Sequence, residues 1–329
     1  MTTTTALVVT RHGGPEVLAL EEREVAAPGP GEALVEVAAG GVNFIDAYKR
    51  QGIYPTHPPY VQGVEAAGTV REVGEGAAVA VGDRVAWSMA EALHAGLVIA
   101  DADRLVPVPD DVDLEIACAA TLQGMTAHAL VTDCHRVGEG TVALVHAAAG
   151  GVGQLLTQMI TARGGRVIAT AGSPDKLEIA RSRGASEVID YTATEDLAGD
   201  IAAAAERIGA TKGVDVAYDG VGKATFDASL ASLRKRGTLV LFGGASGQVP
   251  PFDLQRLNAG GSLFVTRPTL AHYIEDREEL LARGRAVFGD IAAGRLDIAV
   301  GGRYAFADAA EAYRALEGRQ STGKLLLIP

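Results

Sequence analysis

The chain has 329 residues, 48% hydrophobic and 21% charged, a length that allows two ordinary domains and a well-buried core. Lys plus Arg number 29 against 41 Asp plus Glu, and the resulting charge of −12 argues against a bulk nucleic-acid or anionic-membrane surface. Two cysteines, Cys118 and Cys134, exclude a disulfide scaffold and a four-thiolate zinc site. The start, MTTTTALVVT, has neither the basic n-region nor the apolar h-region of a signal peptide. No stretch approaches ~18 uninterrupted apolar residues, so a soluble, reduced, cytoplasmic protein is expected.

In chain order, the first third reads as short strands at 6–10, 32–38, 66–73 and 84–87, separated by Gly- and Pro-rich turns. That texture predicts a barrel-like β domain. After about residue 120 the pattern changes. A buried strand at 142–146 leads into a helix at 151–162, then a strand at 166–171 and a helix at 174–183. Further strands follow at 214–218, 238–242 and 262–266, with helical material between most of them. Strands alternating with helices predict βαβ units and a parallel, doubly wound sheet. Amphipathic helices come after about 267, and a last strand is expected at 324–328.

The junction Val142-Ala-Leu-Val-His-Ala-Ala-Ala-Gly150-Gly151-Val152-Gly153-Gln154 carries most of the functional information. Ala148, Gly150 and Gly153 take the three small-residue places of a dinucleotide fingerprint, where the backbone approaches a pyrophosphate at a helix N-terminus. An NAD-specific site would place a carboxylate after the next strand, to accept bonds from the ribose 2′-hydroxyl. Here Gly172 and Ser173 stand there instead, with Lys176 one turn into the following helix. A hydroxyl, helix N-terminal amides and an ammonium attract a 2′-phosphate, so NADPH is expected. Ser173 also suits an N-cap before Pro174, and the two roles are compatible.

Further segments resemble one family across essentially the whole chain: the quinone oxidoreductases of the zeta-crystallin branch of the medium-chain dehydrogenase/reductase superfamily. They are Gly13-Gly14-Pro15-Glu16-Val17-Leu18, Gly41-Val42-Asn43-Phe44-Ile45-Asp46, Gly82-Asp83-Arg84-Val85, the 148–153 turn, Val265-Thr266-Arg267-Pro268 and Thr322-Gly323-Lys324. The resemblance implies an α/β chain with a GroES-like, β-rich catalytic domain from 1–124 and 263–329. It also implies that this domain surrounds an inserted Rossmann NADPH-binding domain at 125–262, and a homodimer of the kind commonly joined along the 262–266 strand. By the same resemblance, Asn43 and Thr126 face the nicotinamide ribose, and Gly151 and Val152 the pyrophosphate. Ser173, Lys176 and Tyr191 hold the 2′-phosphate. Phe242, Gly243, Val265, Thr266, Arg267 and Lys324 complete the cofactor cleft. The bland alternatives are a strand-end aromatic at Tyr191, a solvated charge at Lys324 and a surface residue at Arg267. One departure lies after Trp87, where Met89-Ala90-Glu91-Ala92-Leu93-His94 replaces a longer stretch and is expected near the substrate mouth.

Zinc relatives need a thiolate where this chain runs Asn43-Phe44-Ile45-Asp46, and a Gly-His-Glu where it has Gly63-Val64-Glu65. Val64 is no ligand, Leu122-Gln123-Gly124 brings no cysteine, and 83–103 lacks a structural zinc loop. No metal is expected, which points toward quinones and conjugated enones, whose incoming charge delocalises without a Lewis acid. Tyr48 and Tyr54 are the substrate-side candidates. Asn43 and Asp46 have the spacing of an N-cap and its N3 carboxylate, leaving Asn43 between capping and cofactor binding. No general acid is assigned. The expected activity is hydride transfer from NADPH to a small quinone. The rivals are alkenal or enone reduction on the same scaffold, and a low-turnover NADPH-binding protein.

Overall fold

The computed structural model describes residues 2–318 and 321–329. The chain divides into one unit of Met1–Met125 with Tyr273–Pro329, and a second of Thr126–His272.

In the first unit, a mainly antiparallel sheet runs in the order Val300–Ala305, Lys324–Ile328, Glu32–Val42, Glu65–Val73, Arg84–Ser88, Val106–Pro107. Leu97–Asp101 also pairs along Glu32–Val42. A three-stranded sheet places Thr2–Val9 between Leu18–Val25 and Tyr60–Val61. Trp87, Val35, Val70, Leu93 and Leu105 fill one core, and Leu7, Val42, Phe306, Tyr313 and Leu325 fill another. The strand Leu18–Val25 escapes the sequence reading because Glu21, Glu22, Arg23 and Glu24 mask its alternation. It is held by register with Thr2–Val9, a non-local cause.

The second unit is a six-stranded, all-parallel sheet. Its order is Glu187–Asp190, Arg166–Ala171, Val142–Val145, Val214–Asp219, Leu233–Leu241, Phe264–Thr266. Val142–Val145 is buried throughout, as a central strand covered on both faces must be. The chain winds outward from that strand on one side, then crosses to the other at Val214–Asp219. The switch point therefore lies beside the Gly150 turn, where doubly wound sheets bind ligands.

One boundary is corrected. Phe264–Thr266 pairs in parallel with Leu233–Leu241, so this strand belongs to the parallel sheet. The division falls after His272, ten residues beyond the expected 262. The short strand carries no local mark of which sheet it joins. Among the described residues no helix is long and apolar enough to cross a membrane.

Candidate active site

The Gly-rich turn leaves the strand Val142–Val145 and opens the helix Gly151–Ala162. Ala147 adopts a left-handed φ of 51° and its carbonyl accepts the Gly150 N–H at 2.9 Å. Ala148 N–H donates to Thr170 O at 3.0 Å, tying the turn to the neighbouring strand. A Cβ on Gly153 would run into the Ala147 carbonyl oxygen and lie 2.7 Å from Ala148 Cα, so this place admits only glycine. A Cβ on Gly150 would meet one atom, at 3.2 Å. Gly150 as N-cap brings no side chain of its own to the first-turn amides, which suits an anion cradle.

At the next strand end, Ser173 caps the helix Pro174–Ser182, its Oγ accepting the Lys176 N–H at 3.4 Å. A Cβ on Gly172 would stand 2.6 Å from the Tyr191 hydroxyl, so that ring closes directly over the turn. Ser173, Lys176 and Tyr191 thus gather at one corner. Phe242 and Gly243 follow the strand Leu233–Leu241, with the Phe242 N–H on Asp219 O at 2.9 Å. Val265 and Thr266 end the edge strand, and Arg267 is exposed after it. Because the strands are parallel, all these residues emerge at the same carboxyl edge. Thr126 is half-buried in the helix Leu114–Ala129.

Sequence reasoning missed what braces this edge. The buried Asp219 carboxylate accepts from Val221 N–H (2.8 Å), Gly222 N–H (2.9 Å), Thr225 Oγ1 (2.8 Å) and Ser229 Oγ (2.8 Å). His146 bonds Thr170 Oγ1 through Nδ1 at 2.8 Å, and burial pushes its pKa down, keeping it neutral. The Thr225 and Ser229 spacing beyond a strand-end Asp was the available signal.

In the first unit the key helix, here α1, is Phe44–Arg50. Asn43 caps it and Asp46 Oδ2 accepts the Asn43 N–H at 2.9 Å, the arrangement expected from their spacing. The Asn43 side chain turns inward. Its Nδ2 donates to Gly41 O (3.0 Å) and Glu65 Oε2 (2.9 Å), and its Oδ1 accepts from Lys324 Nζ at 2.6 Å. Lys324 also donates to Glu65, and both side chains are almost fully buried. Lys324 is therefore neither a solvated charge nor a free cation for a cofactor, because its ammonium is committed inside the unit. Gly41 is glycine for this reason: a Cβ would overlap the Glu65 carboxylate and lie 2.9 Å from Lys324 Cε.

Burial pushes the Asp46 carboxyl up to about 7, against the lowering pull of Lys324 and the Asn43 N–H. Burial pushes His94 down to about 4, so its imidazole is neutral. Tyr48, on α1, and Tyr54, just beyond it, meet edge-on with ring centroids 5.7 Å apart. Tyr48 O accepts both the Ile53 N–H (2.9 Å) and the Tyr54 N–H (3.3 Å), so Tyr54 hangs from the helix that carries Tyr48. The 89–94 segment is strapped to α1 by Lys49–Glu91 at 3.1 Å, with Met89 and Ala92 at left-handed φ of 59° and 61°.

The alcohol dehydrogenase GroES-like domain family matches residues 29–110, and the zinc-binding dehydrogenase family residues 151–282. A quinone oxidoreductase of Pseudomonas aeruginosa is 41% identical over 321 residues, 97% of either chain. The chain belongs to the quinone oxidoreductases of the medium-chain dehydrogenase/reductase superfamily. A solved mycobacterial protein, complexed with NADPH, matches with TM-score 0.94 at 46% identity, covering 99% of this chain and 100% of that one. A 2-haloacrylate reductase of Burkholderia is 38% identical over 98% of each chain.

The zinc in the second family's description does not suit this member's residues. Val64 offers no donor, Glu65 already carries the Lys324 ammonium, and burial pushes the Cys118 thiol well up. Among the described residues no group of three His, Cys, Asp or Glu is arranged to hold a metal ion.

Proposed function

We propose that this chain is a zinc-independent, NADPH-dependent quinone reductase that works as a cytoplasmic homodimer. The observation that carries the reading is the corner of Gly172, Ser173, Lys176 and Tyr191, which presents hydroxyls and an ammonium where a carboxylate would select NAD. Bound NADPH supplies the hydride. The 150–153 turn offers backbone N–H groups to its pyrophosphate, and Ser173, Lys176 and Tyr191 its 2′-phosphate partners. Phe242, Gly243, Val265, Thr266 and Arg267 line the same edge. Tyr48 and Tyr54 offer an aromatic face to a flat acceptor and hydroxyl donors to the oxygen that gains charge. The exposed Phe264 and Val265 on an edge strand support pairing with a second copy.

The similarity to a 2-haloacrylate reductase supports a second reading, reduction of a conjugated double bond by the same residues. With benzoquinone as acceptor, Lys176→Ala is expected to raise the KM for NADPH about tenfold or more and leave that for NADH within about twofold. Equal changes for the two nucleotides would remove the 2′-phosphate assignment.

A further inference from the structure

We propose that the buried Lys324–Glu65 pair positions the substrate side of the site. Through Asn43 it fixes the N-terminus of α1, and with it the Tyr48–Tyr54 face. The acceptor's identity rests on the reading above; the positioning rests on geometry.

Four segments of the first unit converge on the pair. Lys324 opens the last strand, Glu65 opens the strand Glu65–Val73, and Asn43 caps α1. Glu65 Oε1 also accepts the Leu122 N–H at 2.5 Å from the helix Leu114–Ala129. The ammonium therefore bridges the carboxylate and the amide oxygen of the cap, while the carboxylate binds the same amide through Nδ2.

Such a pair is weak as a stabiliser, because desolvating two charges offsets most of their attraction. Its strength is geometric, since every partner has a fixed place. α1 has only seven residues, too short to hold its own orientation. Its far end is anchored separately, by buried Arg50 on Glu317 Oε1 (2.6 Å) and Gly13 O (3.1 Å). Loss of the cap anchor would let the helix pivot about Arg50. Tyr48 lies between the two anchors and carries Tyr54 with it.

The titratable groups whose charge bears on the pair are Asp46 on α1, Cys118 on the helix Leu114–Ala129 and His94 in the 89–94 segment. Burial favours the uncharged form of each, so none supplies a replacement positive charge.

The test compares Lys324→Met, Glu65→Gln and the double variant, with quinone kcat and KM measured per NADPH-binding site across about pH 6 to 9. Each single variant is expected to lose roughly 100-fold in quinone kcat/KM, part of it as raised KM, with NADPH Kd within about twofold of wild type. If a single variant does not fold, the charge-free double carries the test, with raised quinone KM and retained NADPH binding supporting the proposal. Quinone kcat and KM equal to wild type at every pH, or failure of all three variants to fold, would make the pair structural and overturn it. A wild type inert toward quinones would overturn the quinone reading instead, and the same comparison would then be read with a conjugated carbonyl acceptor.

Discussion

Gly153→Val is expected to abolish useful NADPH binding. A Cβ at this position meets the Ala147 carbonyl oxygen and Ala148 Cα, backbone atoms of the turn itself, so no side-chain adjustment relieves the clash. The branched side chain must push the helix Gly151–Ala162 away from the turn and spoil the alignment of its first amides. A loss of more than about 100-fold in NADPH affinity follows, roughly 2.7 kcal/mol. Gly150→Ala is the internal control, because its Cβ faces one atom at 3.2 Å. It should cost less than about tenfold. Calorimetric titration of NADPH into both variants checks the contrast, and a Gly153→Val protein that binds within a few-fold of wild type would move the nucleotide site elsewhere.

The second large effect concerns stability and pH. Folding raises the Asp46 carboxyl from 3.8 to about 7, chiefly by burial. Between those values the folded chain holds a proton that the unfolded chain has released. The contribution is therefore fully present below about pH 4, is lost as pH rises toward about 7, and is flat above. Asp46→Asn keeps an oxygen for the Asn43 N–H and removes the titration. Relative to wild type, the variant should gain stability as pH rises, on the order of a few kcal/mol by about pH 8. Thermal melts of both proteins at about pH 5 and pH 8 give the difference, in which other titrating groups cancel. Parallel curves would contradict the upward shift that burial gives the Asp46 carboxyl.

The Gly150–Gly153 turn was legible because close backbone approach leaves a sequence mark. Only glycine satisfies the contacts at Gly153, and the turn sits between a strand and a helix that both declare themselves by pattern. The Asn43–Asp46 spacing likewise announced a helix start. What surrounds Asn43 was not legible. Lys324 is 281 residues from Asn43 and 259 from Glu65, and composition alone makes a lysine solvated. Glu65 drew notice only through its neighbour Val64. Gly41 was the overlooked sign, since an invading carboxylate is what forbids its side chain. The edge strand Phe264–Thr266 was read into the parallel sheet, where it pairs with Leu233–Leu241, but the domain boundary was drawn at 262, before it, whereas the division falls after His272.

The most direct measurement mixes purified, chelator-treated protein and NADPH with benzoquinone or with 2-haloacrylate, and follows loss of the reduced nicotinamide. Quinone reduction as the activity predicts faster turnover with benzoquinone, one NADPH consumed per hydroquinone formed. Faster turnover with 2-haloacrylate, or intact NADPH binding with neither acceptor consumed, would contradict it.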